Sequence, residues 1–348
     1  MKRIVVFKGI CWLVALIMVF TISLVACAAP SAAPVASDVK PIKAICTTAY
    51  PAGMSSELAL HKMADMSKEK TKGRLIIEVH SGGELYSRED EIMALSTGAI
   101  QMMATNGPAI LSVYKGVIAI NLPWFWPDYK TLKTYESTPE WQTAWKNGVD
   151  SKLGIKTLCY IPVGPSMLAN KVRPINKWED LKGLKMRAAS NIDTAFYTTL
   201  GVQSVQIPVT ELWTALEQGM VDGFSTTFSK FAVGTEADYG KYAIKDPASI
   251  TEGWLFANAE WWETLPADIR KIMEVDVLPE VESYATAEME KVVEKCITDT
   301  TKRGVLWTSI QNLPEMKKQF APVYKELKRM MGNDVLYDKA VEICTSQQ

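Results

Sequence analysis

Apolar positions along this chain alternate between short runs that read as strands and one-sided repeats that read as helices. Lys43–Thr47 is the first strand-like run, and Tyr50-Pro51-Ala52-Gly53 reads as the turn after it. Ser55 or Ser56 can then cap a helix with Leu60, Met63 and Ala64 on one side, ended by Gly73. A strand over Arg74–His80 places Leu75, Ile77 and Val79 on one face, and Gly82-Gly83 breaks it. A helix over Arg88–Thr97 and a strand over Ile100–Ala104 follow. After a strand near Ile155–Ile161 the order repeats: strand Leu184–Arg187, helix Asn191–Leu200, strand Ser204–Ile207, helix Thr210–Gln218, strand Val221–Phe224. Repeated β-α-β order predicts two α/β lobes with mostly parallel sheets. From Glu260 onward the pattern is mainly helical. A long stretch over Leu278–Lys302 could brace both lobes.

The N-terminal segment follows different rules. Lys2, Arg3 and Lys8 precede an apolar run from Ile10 to Ala26, the charged and hydrophobic regions of a secretory signal. The run is near the minimum that spans a bilayer, so a retained anchor is one alternative and ordinary cleavage another. Leu24-Val25-Ala26-Cys27 resembles a bacterial lipobox, in which cleavage precedes the cysteine and the thiol takes diacylglycerol. Residues 1–26 are therefore read as a signal peptide, and 27–40, rich in Ala, Ser and Pro, as a flexible tether. The remaining length exceeds one small core and predicts two lobes. Lobe 1 is placed at 41–162 with part of 250–283, and lobe 2 at 163–249 with part of 284–348.

Lys and Arg (38) nearly balance Asp and Glu (39) with no basic stripe, which argues against nucleic acid as a partner. Cys46, Cys159, Cys296 and Cys344 would remain free of the leader and the lipid. None forms a C-x-x-C pair, so zinc-ribbon and thioredoxin readings fail on spacing. Cys296 and Cys344 could pair in an oxidising compartment, which spacing alone does not decide.

Family resemblance enters between Arg173 and Gly223. The chain reads Arg173-Pro174-Ile175, Asp180-Leu181-Lys182-Gly183-Leu184-Lys185-Met186-Arg187, then Glu211 through Gly219, then Val221-Asp222-Gly223. This resembles the ordered motifs of the DctP-type receptors of TRAP transporters. Gly82-Gly83-Glu84-Leu85, Leu122–Trp126 and Glu260–Pro266 are similar to further family segments. The resemblance implies a two-lobed, periplasmic-binding-protein-like α/β fold of the class II type, with a hinge and long C-terminal helices bridging the lobes. It implies that Arg187 takes the substrate carboxylate, a match for a planar guanidinium that lysine cannot reproduce. A helix starting near Asn191 would add free N–H groups for the anion.

The chain departs from the family pattern where Thr226 replaces a ligand-contacting asparagine, Ser166 falls in a stretch that usually carries an arginine, and Asn106 replaces a glutamate. Phe224, just before Thr226, is counted with the cleft. Tyr50, Trp124, Trp126 and Trp254 either add aromatic surface there or pack the hinge and core. These losses of charge predict a monocarboxylate with an apolar or aromatic body, held more tightly than succinate or sialate.

His61 and His80 share no metal motif, Arg88-Glu89-Asp90-Glu91 reads as a solvated helix start, and no nucleotide or hydrolase fingerprint occurs. The expectation is an extracytoplasmic receptor, periplasmic or at the cell surface, anchored by lipid at Cys27. It would have no cofactor, metal or catalytic residue, and its partners would be a small carboxylate, TRAP membrane subunits and the membrane. The alternatives are an exported lipoprotein hydrolase and a ligand-binding sensor subunit. Cys27→Ala should abolish lipid attachment without unfolding the mature chain. Metabolic lipid labelling with membrane fractionation checks this, and undiminished labelling of the variant would refute the lipobox.

Overall fold

A computed structural model describes residues 40–208 and 211–346. The leader, Cys27, nearly all of the tether, and Thr210 lie outside the described residues. Strands β1 (Ile42–Thr48), β2 (Leu75–His80), β3 (Met102–Asn106), β4 (Ile155–Tyr160) and β11 (Gly253–Asn258) build a five-stranded sheet in the order β2-β1-β3-β11-β4. The second sheet is seven-stranded and takes β5 (Gly164–Asn170), β6 (Lys185–Ala188), β7 (Gln203–Gln206), β8 (Gly223–Thr227), β9 (Tyr242–Ile244), β10 (Ser249–Thr251) and β12 (Leu306–Thr308). Its order is β12-β9-β5-β8-β6-β7, with β10 beside β5.

The two-lobed α/β class holds, but the expectation of mostly parallel sheets needs correction. β1 is parallel to β2 and β3, and β6 to β7 and β8, as β-α-β connections require. β11 is antiparallel to β3 and β4, and β5 is antiparallel to β8, β9 and β10. β5 and β11 are the strands by which the chain enters each sheet from the other, so they run against the β-α-β strands they join. Two glycines shape these crossings. Gly164 has φ +107°, and a Cβ there would stand 3.2 Å from Met289 Cγ. A Cβ on Gly253 would meet the Ile161 carbonyl at 2.5 Å and Tyr50 Oη at 2.7 Å.

Packing follows the amphipathic pattern. Helix Ser55–Lys70 buries Ala59, Leu60 and Met63 against the first sheet. Neither Ser55 nor Ser56 caps it, contrary to expectation; both lie inside the helix, and Met54 is the cap residue, with no side-chain bond. Helix Leu278–Lys302 buries Leu278, Val281, Ala285, Met289, Val292, Cys296 and Thr300 at the three- and four-residue steps of a single stripe. The first three join the core of the first sheet, while Val292 and Cys296 join that of the second. Each such buried Val or Leu contributes about 1.5–3 kcal/mol, so one helix ties both lobes. Helix Ala321–Met331 packs on residues 115–121 and on helix Asn191–Thr199, a second brace, while helix Asp334–Ser346 packs on the helices Tyr129–Glu136 and Pro139–Trp145. Cys296 and Cys344 belong to different core clusters, and all four described cysteines are free and buried, so the pairing between them does not form.

The return crossing carries a buried carboxyl. Glu252, fully enclosed between β10 and β11, faces Lys133 and Glu282, with Glu136 close by. Lys133 Nζ lies 3.5 Å from Glu136 and 4.0 Å from Glu282. The single Lys133 ammonium does not offset the cost of burying the Glu252 carboxylate beside Glu136 and Glu282, and burial pushes Glu252 up to about 8. The native state therefore keeps a proton that the unfolded chain releases above about pH 4.5. Stability from this group is fully present below that pH and is lost as pH rises toward 8. Thermal melts of the parent should show this decline, and Glu252→Gln should flatten it; an identical pH profile for the two would refute the assignment.

A candidate ligand cleft between the sheets

The parallel strands of both sheets point their carboxyl ends into one space, the usual ligand position in open α/β sheets. A cavity of about 590 Å³ lies there, within the range that suits a small molecule. Tyr50 follows β1 and Asn106 ends β3 on one side, while Arg187 on β6 and Thr226 on β8 line the other. Ser166 and Thr251 line it where the chain crosses. A larger surface groove, about 770 Å³, runs beside helix Leu278–Lys302. Glu274, Glu282 and Glu290 line that groove and would repel an anion, whereas the cleft holds Arg88, Arg187 and Lys230 against the single carboxylate of Asp193.

Arg187 is nine-tenths buried, and its Nε donates to the Ile207 carbonyl at 3.0 Å. That bond fixes the plane of the guanidinium. Among the described residues its Nη atoms have no hydrogen bond, and no carboxylate stands within ion-pair distance. Burial pulls its pKa down, while the Asp193 charge draws it back up. The helix that was expected to offer free N–H groups is already occupied. Ser190 Oγ accepts from Asp193 N at 3.4 Å, and the Asp193 carboxylate accepts from Ala189 N at 2.9 Å and Ser190 N at 3.0 Å. This is a reciprocal cap, and the anion is left to the guanidinium.

Asn106 is 7% exposed, and its Oδ1 has no hydrogen-bond partner among the described residues. Tyr50 Oη is likewise buried and unpartnered, and burial raises its pKa. Ser166 and Thr251 share a 2.7 Å hydroxyl–hydroxyl bond across the paired strands β5 and β10. Orphaned polar atoms in a folded core cost stability, so two of them facing a cavity mark a place where a ligand supplies the partners.

Three residues assigned to the cleft from sequence do not line it. Trp124 stacks on Phe196 with centroids 5.1 Å apart and also meets Phe320, sealing the seam between the lobes. Its φ of 51° is strained for a non-glycine residue, and its backbone N–H donates to the Ala248 carbonyl at 2.6 Å. Trp254 packs on Trp145 at 4.4 Å, and Phe224 is buried under Trp213. Trp126 is core as well, its Nε1 bonded to the Ala119 carbonyl. With the tryptophans withdrawn, Ser112, Ser225, Ser249, Thr227 and Asn121 furnish much of the wall. Met54, Ala109, Val163 and Ile192 supply apolar patches among these polar groups. Arg88, read from sequence as part of a solvated charge run, also lines the cavity.

Residues 47–330 match the family model described as bacterial extracellular solute-binding protein, family 7, also called DctP. The chain belongs to this family. It is 26% identical over 303 residues to a C4-dicarboxylate-binding protein, DctB, of Bacillus subtilis, covering 80% of each chain. It is 24% identical over 296 residues to the C4-dicarboxylate-binding periplasmic protein DctP of Rhodobacter capsulatus, covering 82% of this chain and 86% of that one. Among solved structures it superposes on a sugar acid binding protein of Advenella mimigardefordensis, crystallised with galactonate, with TM-score 0.81 at 18% identity. That match covers 89% of this chain and all (100%) of the other. A family 7 receptor is thus a TRAP-type solute-binding protein, which places this chain outside the cytoplasm. Among the described residues, no helix is long and apolar enough to cross a membrane.

The orphaned Asn106 amide gives a test of the cleft. Asn106→Leu keeps the volume and removes the unpaired acceptor, so the ligand-free protein should melt at the same temperature or higher, by up to about 1 kcal/mol of stability. A melting temperature several degrees lower would show that Asn106 serves the fold.

Proposed function

We propose that this protein captures a small organic carboxylate in the cleft and presents it to the membrane subunits of a TRAP transporter, without chemical conversion. The observation that carries this reading is Arg187, held at Nε by Ile207 and open at its Nη edge toward the cavity. The two parallel N–H bonds of that edge match a carboxylate. Relatives named for C4-dicarboxylates, and a similar structure holding galactonate, share that one chemical group. The closing bodies are lobe 1 (41–162 with part of 250–283) and lobe 2 (163–249 with part of 284–348), turning about the two crossings. Cys27 supplies the lipid anchor that keeps the receptor beside its permease.

Arg187→Ala should weaken carboxylate binding at least about a hundredfold, from the lost charge-assisted bonds and the stranded anion. Arg187→Lys should keep part of the affinity. Without ligand, either variant should lose no more than about 1 kcal/mol, the worth of the bond to Ile207. Calorimetry and thermal shift on both variants decide the matter; unchanged affinity in Arg187→Ala would end the clamp.

A further inference from the structure

Arg88 is the first residue of helix Arg88–Ser96, which packs on β1, β3 and β11 and so belongs to the first sheet. Its side chain lines the same cavity as Arg187, which stands on the second sheet. Arg88 makes no hydrogen bond and no ion pair among the described residues. The nearby carboxylate of Asp90 is engaged at the helix start, where Ser87 Oγ donates to it at 2.7 Å. Lys230 also borders the cavity, but Glu236 matches it at 3.0 Å. Arg187 and Arg88 are therefore guanidinium groups with no ion pair among the described residues, one on each lobe, and the Asp193 carboxylate that lines the cavity near Arg187 is held by its own helix cap. They sense each other, since the Arg88 charge helps to depress Arg187. Hydroxyls and amides line the space between them, among them Ser225, Thr226, Ser249 and Asn106.

Resting on the carboxylate reading of this cleft, we infer that Arg88 is a second anion contact and that the ligand is a hydroxylated diacid, one carboxylate on each lobe. A guanidinium is a donor-only group, and its strongest acceptor is a carboxylate. In the empty cleft the two cations repel and favour separation of the lobes. A dianion between them turns that repulsion into attraction on both sides, so closure depends on a ligand that satisfies both ends. The hydroxyls between the cations can exchange hydrogen bonds with hydroxyls on the ligand's carbon chain, which a bare dicarboxylate lacks.

The test uses three six-carbon acids that differ by one feature each: galactarate, galactonate and adipate. Calorimetry on the parent should give galactarate at least about tenfold tighter binding than either of the others, the effect of one charge-assisted contact or of several hydroxyl bonds. Arg88→Gln should bring galactarate down to the level of galactonate and leave galactonate within about threefold of the parent. Arg88→Lys should fall between. Arg187→Ala should weaken both hydroxylated acids. A parent that prefers galactonate, or a galactarate advantage that survives Arg88→Gln, overturns the second contact while the single clamp stands. Indifference of all three acids to Arg187→Ala, or no binding of any, overturns the carboxylate reading itself, and this inference with it.

Discussion

Outgoing and returning chain are held side by side where they pass between the two sheets. β5 leaves the first crossing and β10 leads to the second, and the two pair antiparallel with Ser166 opposite Ser249 and Thr251 opposite Gly164. The 2.7 Å bond between the Ser166 and Thr251 hydroxyls fastens the same point from the side chains. Much of the architecture follows from that pairing. It sets the direction of β5 and β11, and it brings the carboxyl ends of both sets of parallel strands to face each other. Helix Leu278–Lys302, which contributes to the cores of both sheets, is a third tie between them.

Polar groups close to the cleft differ in how far their bonds are made. Asn258 caps the helix after β11 and donates to the Leu95 carbonyl, and Asp193 closes the cap before helix Asn191–Thr199. At the cavity, Asn106 and the Nη edge of Arg187 keep bonds left over. Apolar interactions seal the rest, and the stacked Trp124, Phe196 and Phe320 keep water out of the seam beside the cleft.

Most of the β-α-β elements were legible in the sequence because their apolar spacing is regular, and Arg187 was legible because a family motif surrounds it. β5 was hidden by its opening Gly164-Pro165, which reads as a turn but is tolerated at the first positions of a strand. β11 is buried along its whole length and so lacks the alternation that marks a half-buried strand. Aromatic residues misled in one direction: Trp124 and Trp254 look identical in sequence whether they stack on a ligand or on Phe196 and Trp145. Arg88 misled in the other, because three acidic neighbours make the run look like an ordinary solvated helix start. Which way the first turn of a helix faces is a tertiary fact, and periodicity over nine residues does not fix it.

Burial of the thiols has a consequence for biogenesis. Burial raises the pKa of Cys46, Cys159, Cys296 and Cys344, the last two to about 12, so in the folded state these four offer almost no thiolate to an oxidant. The unfolded chain has no such shelter. For a protein that matures outside the cytoplasm, folding is then a race against mispairing, won once the cores close over sulfur. Substitutions that slow folding without altering the native state would betray themselves as mixed disulfides under oxidising conditions and vanish under reducing ones. The reactive thiols would thus serve as a built-in record of how quickly each lobe reached its native packing.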